Sequence, residues 1–267
     1  MMRQFTKTRY FFRMNITMDV IYPTTFFVLA ACIFSVALLY SSVGHGGASG
    51  YIAVMALFSV APVILKPTAL ILNIIVSAVA TICFARSGHF TWRLFWPFAL
   101  TSVPASFFGG CINLPPYFYR PLVGIILLLS AYYLFFRKQQ HQSDIAMRQP
   151  ELVMALFIGC FLGFLSGLTG VGGGIFLSPL LLMMNWGKAR EVAAVSALFI
   201  MVNSAAGLAG HISSIQSLPP FVPYLAMAAV LGGVAGSLLG SRHLPTTIIV
   251  KALSAVLTIA GLKLILI

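Results

Sequence analysis

Two clusters of glycine each cut a long apolar stretch, and they occupy matching places in the two halves of the chain. The first is Gly44-His45-Gly46-Gly47 within SSVGHGGASG, and the second is Gly170-Val171-Gly172-Gly173-Gly174 within SGLTGVGGGIF. A glycine inside a helix costs about 1 kcal/mol relative to alanine, so several in close succession interrupt it. In lipid an interrupted helix leaves backbone groups without partners, which is tolerated only inside protein or beside a water-filled cavity. A break repeated at the same place in both halves therefore predicts a binding site within a membrane.

Composition supports that setting. The chain of 267 residues is 60% hydrophobic and 7% charged, with a mean hydropathy of +1.01, whereas a soluble domain carries about 25% charged residues. Several apolar runs approach the ~20 residues that cross a bilayer. The net charge of +12 comes from sixteen Lys and Arg against four acids. These bases punctuate apolar runs (Arg3, Lys7, Arg9 and Arg13; Arg86 and Arg93; Arg137, Lys138 and Arg148) rather than forming one basic face. That is the pattern of cytoplasmic anchors, not of a nucleic-acid reader. The four cysteines, Cys32, Cys83, Cys111 and Cys160, lie in apolar runs without CxxC spacing, so neither a disulfide framework nor a metal site is expected. The run from 21 to 43 exceeds a signal-peptide core and lacks an A-x-A site, which predicts an uncleaved first transmembrane helix.

The apolar segments fall at about 21–43, 48–65, 69–85, 94–112 and 121–136, then 152–169, 174–186, 192–210, 221–241 and 247–267. The polar stretch 137–151 separates the two groups. Gly44, Gly46 and Gly47 align with Gly170, Gly172 and Gly173 at one offset. Ser102, Ser106 and Gly110 align with Gly232, Gly236 and Gly240, and Leu114-Pro115 with Leu244-Pro245, at an offset four residues larger. Internal repeats of this kind are common in secondary transporters. The fold expected is all-α and polytopic, with about eight transmembrane helices in two homologous halves with glycine-broken helices. Its units are a cytoplasmic basic segment at 1–20, a first repeat at 21–136, a polar linker at 137–151 and a second repeat at 152–267. Counting each glycine-flanked pair of segments as one net crossing places the N-terminus, the Arg86–Arg93 loop and the linker together in the cytoplasm.

Free N–H groups at a helix break bind anions, because the dipole and the unsatisfied donors point the same way. The residues expected to form such a site are Gly44, His45, Gly46, Gly47 and Ser49 from the first break, and Thr169, Gly170, Gly172, Gly173 and Gly174 from the second, with the membrane amides Asn73 and Asn203. Ser41, Ser42 and Ser166 are further neutral donors nearby. Close helix packing is the plainer role for glycine in membranes, and it is the role expected of the stripes Ser102–Gly110, Gly159–Gly167 and Gly232–Gly240. His45 can donate to an anion or carry a proton; the alternative is a neutral histidine bonded at a helix end. Glu191, beside Lys188 and Arg190, is expected in a local ion pair at a membrane boundary. No segment interior holds a carboxylate, which argues against an acidic proton relay. The absence of GxxxxGK[ST], HExxH and GxSxG argues against an ATP-driven pump or a protease, so no enzyme, cofactor or metal is expected.

The stretch GFLSGLTGVGGGIFLSPLLL resembles the sulfite exporter TauE/SafE family, whose signature is a G-x-GGG motif followed by an apolar run with proline. Gly170, Gly172, Gly173, Gly174 and Pro179 match it, while the first copy departs at Ala48 and His45. The resemblance implies a permease of roughly eight helices moving sulfite, sulfonates or related organosulfur anions across the bacterial plasma membrane. The partners expected are a small anion and the lipid bilayer, with no nucleic acid; self-association as a homo-oligomer is left open. A carrier of other organic anions, or a membrane assembly or sensor subunit that transports nothing, are the competing readings.

Overall fold

The computed structural model describes residues 23–136, 149–212 and 219–240, with the pairs 258–259, 261–262 and 265–266. The basic segment 1–20 and most of the linker therefore lie outside the described residues. Among the described residues all regular structure is helical: α1 Pro23–Ser41, α2 Ala48–Leu57, α3 Pro62–Arg86, α4 Trp92–Cys111, α5 Pro116–Phe136, α6 Leu152–Thr169, α7 Gly174–Met183, α8 Ala189–His211 and α9 Val222–Gly240. Six of these, α1, α3, α4, α6, α8 and α9, contain spans long and apolar enough to cross a membrane. By contrast α2 and α7 have 10 residues each, about 15 Å at 1.5 Å per residue, which is half of a bilayer core.

Local chemistry sets these boundaries. Gly44 (φ 77°) and Gly47 (φ 97°) separate α1 from α2, and Gly170 (φ 78°), Gly172 (φ 84°) and Gly173 (φ 71°) separate α6 from α7. These are left-handed conformations that residues with a Cβ adopt at a cost. Gly170 closes α6 by returning its N–H to the Ser166 carbonyl at 2.8 Å. Proline opens α3 at its first position, where its missing N–H is harmless. At the start of α8 the Glu191 carboxylate accepts the Lys188 backbone N–H at 3.0 Å. It thus serves as a helix cap rather than in the expected ion pair, because the first-turn N–H is an orphan donor closer at hand.

The small-residue stripes fix how the helices run. On α6, Gly159, Gly163 and Gly167 press on Phe98, Ser102 and Ser106 of α4, and on α9, Gly232, Gly236 and Gly240 press on Phe34 and Leu38 of α1 and on Ser42 just past its end. Each register rises in step, so both pairs are parallel. Gly207 of α8 meets both Gly110 of α4 and Gly167 of α6, so α4, α6 and α8 share one direction. The antiparallel α3 bonds Ser204 of α8 through Asn73 and packs Phe84 with Ala193. The result is two opposed sets, α1, α3 and α9 against α4, α6 and α8. In these contacts the glycines meet backbone atoms, the close approach that small residues permit in membranes. Helix α5 completes the packing on Gly261 and Ile265 through Gly124.

One sequence expectation changes here. Because α1 and α3 are parallel, α2 must carry the chain back, and Pro23 and Arg86 lie at opposite ends of the bundle. A glycine-flanked pair is thus a helix and a returning half-helix, not one net crossing. The N-terminal side of α1 and the Arg86–Arg93 loop do not share a face.

Polarity is inverted relative to a water-soluble protein. Phe157, Val153 and Phe27 are at least 70% exposed, while Asn73, Ser77, Ser102, Ser106, Asn203 and Ser204 are fully buried. Apolar surface outside and hydroxyls inside is the arrangement that lipid favours.

Candidate functional site

The two glycine breaks meet on one side chain. A Cβ on Gly46 would press on Asn73 Oδ1 and on Ile200, and a Cβ on Gly172 would press on Asn73 Nδ2, Ile200 and Ser204. Asn73 stands midway along α3 and is fully buried. Its Oδ1 accepts the Ala48 N–H at 3.1 Å, and its Nδ2 donates to Ser204 Oγ at 2.8 Å. One amide therefore ties the start of α2 to the middle of α8, with a glycine of each break against it. A buried amide is costly unless its donors and acceptor are used, and here both ends are engaged.

From this junction the half-helices diverge. Gly174, the first residue of α7, lies on Ile200, and Ser178 bonds Ser196 at 2.7 Å, one turn earlier in α8. Thus α7 ascends antiparallel to α8, as α2 returns antiparallel to α3. Both N-termini point at the Asn73–Ile200 level, each bringing about half a positive charge. Backbone donors are in excess there. The Ala48 N–H goes to Asn73, and those of Tyr51, Phe176 and Leu177 go to Gly47 and Gly173 carbonyls. Among the described residues no acceptor meets the N–H groups of Ser49, Gly50, Gly172, Gly173 or Ile175. Such a group of unspent N–H donors at helix starts suits an anion.

The remaining expected residues divide. Gly44 lies on Ala193, Gly47 on the Tyr51 ring, Gly170 on Lys66, and Gly173 between Phe199 and Ser166. His45 is buried, with its ring Nδ1 3.0 Å from the Val43 carbonyl. The Ser49 hydroxyl bonds the Tyr40 hydroxyl at 2.7 Å. Thr169 Oγ1 donates to the Leu165 carbonyl at 2.7 Å and accepts the Val171 N–H at 3.4 Å. Asn203 is turned towards α4, where its Nδ2 donates to Ser102 Oγ at 3.0 Å and to the Phe199 carbonyl at 2.8 Å. Its Oδ1 is buried without a partner, as is Ser166 Oγ. Ser41 and Ser42 spend their hydroxyls on carbonyls of α1, Ser41 also reaching Gly233 of α9. The structure therefore brings Gly46, Gly172, Gly174 and Asn73 together and leaves His45, Ser49 and Asn203 in flanking contacts.

Sequence reasoning missed Ser204, Tyr51 and Lys66. The Tyr51 hydroxyl donates to the Gly46 carbonyl at 2.8 Å, which pins the first break. Lys66 is buried one turn into α3. The signal for it was a lysine wedged between the apolar runs 48–65 and 69–85.

Comparison with known proteins places the chain among membrane transport proteins. Residues 29–264 match the family described as "Sulfite exporter TauE/SafE". A "Probable membrane transporter protein" of Sinorhizobium fredii is 44% identical over 239 residues, covering 88% of this chain and 96% of the relative. One of Methanocaldococcus jannaschii is 30% identical over 150 residues, 55% of each chain. Another, of Bacillus subtilis, is 25% identical over 251 residues, covering 86% of this chain and 96% of its own. No solved structure matches the chain. A match across nearly the whole length, on a bundle of membrane-length helices, assigns this chain to the sulfite exporter TauE/SafE family of membrane transport proteins.

Proposed function

We propose that the protein is a secondary permease that moves small organosulfur anions, sulfite or sulfonates, by alternating access between two homologous halves. The observation that carries the reading is the meeting of both half-helix N-termini at Asn73, with unspent N–H donors and no carboxylate beside them. A site of neutral donors and positive helix ends favours an anion without burying a fixed charge.

Helix pairing supports the two halves. Exchanging α1 with α6, α2 with α7, α3 with α8 and α4 with α9 turns each principal packing pair into another, α4 on α6 into α9 on α1, and α4 on α8 into α9 on α3. The antiparallel α3 and α8 make the repeats inverted, as in other carriers whose discontinuous helices form a central site. About eight crossings are our count, of which the described residues supply six long apolar spans, with α2 and α7 as half-length returns. Arg86, Arg93, Lys188 and Arg190 cluster at the end where the linker also begins and ends. We assign that end to the cytoplasm of a bacterial plasma membrane.

Purified protein in liposomes tests the function. Saturable flux of radiolabelled sulfite, competed by sulfonates, is the expected result. No saturable flux of sulfite, sulfonates, or a panel of acetate, phosphate and chloride overturns it.

A further inference from the structure

The buried Lys66 is the least compensated charge among the described residues. It is 5% exposed, and its ammonium donates only to the Gly110 and Ile112 carbonyls, at 3.3 and 3.4 Å. Both bonds are long against the usual 2.9–3.0 Å, and a third N–H remains. The described carboxylates are remote. Glu151 immediately precedes α6, whose other end is at Gly170 beside Lys66, and Glu191 opens α8, whose other end is His211. Each is a helix length away, about 27–30 Å. Among the ionisable side chains at this end, His211 is buried with Nδ1 unpartnered and contributes no negative charge, and Cys111 is the last residue of α4.

The C-terminal end of α4 supplies about half a negative charge to the ammonium, which explains the resting position but neutralises only part of it. The stem of this lysine, not its ammonium, stands against the second glycine break. A Cβ on Gly170 would lie 3.0 Å from Lys66 Cγ, whereas Gly44, its counterpart in the first break, faces Ala193. Packing alone needs no charge here, as the alanine shows. The flexible stem lets the ammonium reorient towards the break, where the Gly172 and Gly173 N–H groups lack acceptors.

We propose that Lys66 is the charge-recognition residue of the substrate site: its ammonium leaves the Gly110 and Ile112 carbonyls and pairs with an oxyanion of the sulfite or sulfonate class held at the Gly172 and Gly173 N–H groups. The two positions exclude each other, so an arriving anion also frees the last turn of α4. This deepens the permease reading and rests on it.

Sulfite binding to purified wild-type, K66R, K66Q and K66M protein, followed by titration calorimetry, tests the assignment. Loss of the charge is expected to raise the sulfite Kd at least tenfold in K66Q and K66M, with K66R intermediate. Equal Kd values in wild type and a folded K66Q overturn the role of Lys66 while leaving the permease reading intact. A wild-type protein that binds no anion of the panel removes both. If the neutral variants fail to fold, amine labelling of wild-type protein, read at Lys66 by mass spectrometry, replaces them. Labelling is expected to change at least threefold with saturating sulfite, and unchanged labelling overturns the proposal, because a lysine that only caps α4 has no reason to respond.

Discussion

Three glycine-to-alanine substitutions separate backbone strain from contact at the junction. Gly88 has φ +74° and open space where a Cβ would stand, so G88A meets strain alone, about 1–2 kcal/mol. Gly46 has no positive φ, but a methyl there presses on Asn73 Oδ1. G46A therefore costs the displacement of Asn73 and its bond to Ala48, about 1–3 kcal/mol. At Gly172, with φ +84°, an added Cβ would press on Asn73 Nδ2 and lie 3.2 Å from Ser204 Oγ, so G172A adds the two terms to about 2–5 kcal/mol. Equilibrium unfolding in detergent should rank G172A as the most destabilised and G88A as the least, and liposome flux should fall in G46A and G172A while G88A keeps it. The G46A/G172A double variant should lose less than the sum, because both changes push on one amide. A G172A protein no less stable than G88A, or strictly additive G46A and G172A effects, would refute the shared contact at Asn73.

Other expectations follow from the same geometry. Asn73→Ala removes both buried bonds, to Ala48 and Ser204; a loss of about 2–4 kcal/mol and of flux is expected, and near-native unfolding would count against the bridge. Gly163→Ala forces α6 off the Ser102 backbone, so stability should drop by about 1–3 kcal/mol and further with larger residues. In a cysteine-free background, T24C at the start of α1 and S87C after α3 should react with an impermeant maleimide from opposite sides of the membrane; labelling from one side would refute the parallel α1 and α3. Replacing His45 with Gln should shift the pH profile of sulfite flux, and an unshifted profile would refute a proton-carrying role for the ring.

The membrane class, the helical content and the positive-φ glycines between helices were legible in the sequence because each rests on local chemistry. Apolar run length, glycine's backbone freedom and the spacing of small residues need no knowledge of neighbours. The stripes even named the right contact faces, since only glycine and serine let Gly163 sit on Ser102 or Gly236 on Leu38. What α2 and α7 do was not legible. A ten-residue apolar helix reads the same whether it finishes a crossing or turns back, and only its packing along α3 or α8 decides. For that reason the expected net crossing failed and the charges at the two ends had to be reassigned.

The site divides in the same way. The sequence by itself determined that two glycine clusters interrupt apolar stretches, that no carboxylate accompanies either, and that Asn73 lies in an apolar segment. Tertiary structure alone decided that Gly46 and Gly172 press on the same amide, that Asn203 turns away to Ser102, and that Lys66 rather than His45 stands against the second break. Backbone conformation is set within a few residues, so a break can be read from the chain that contains it. What a break faces depends on helices more than a hundred residues apart, and their direction and register are fixed only when the bundle packs.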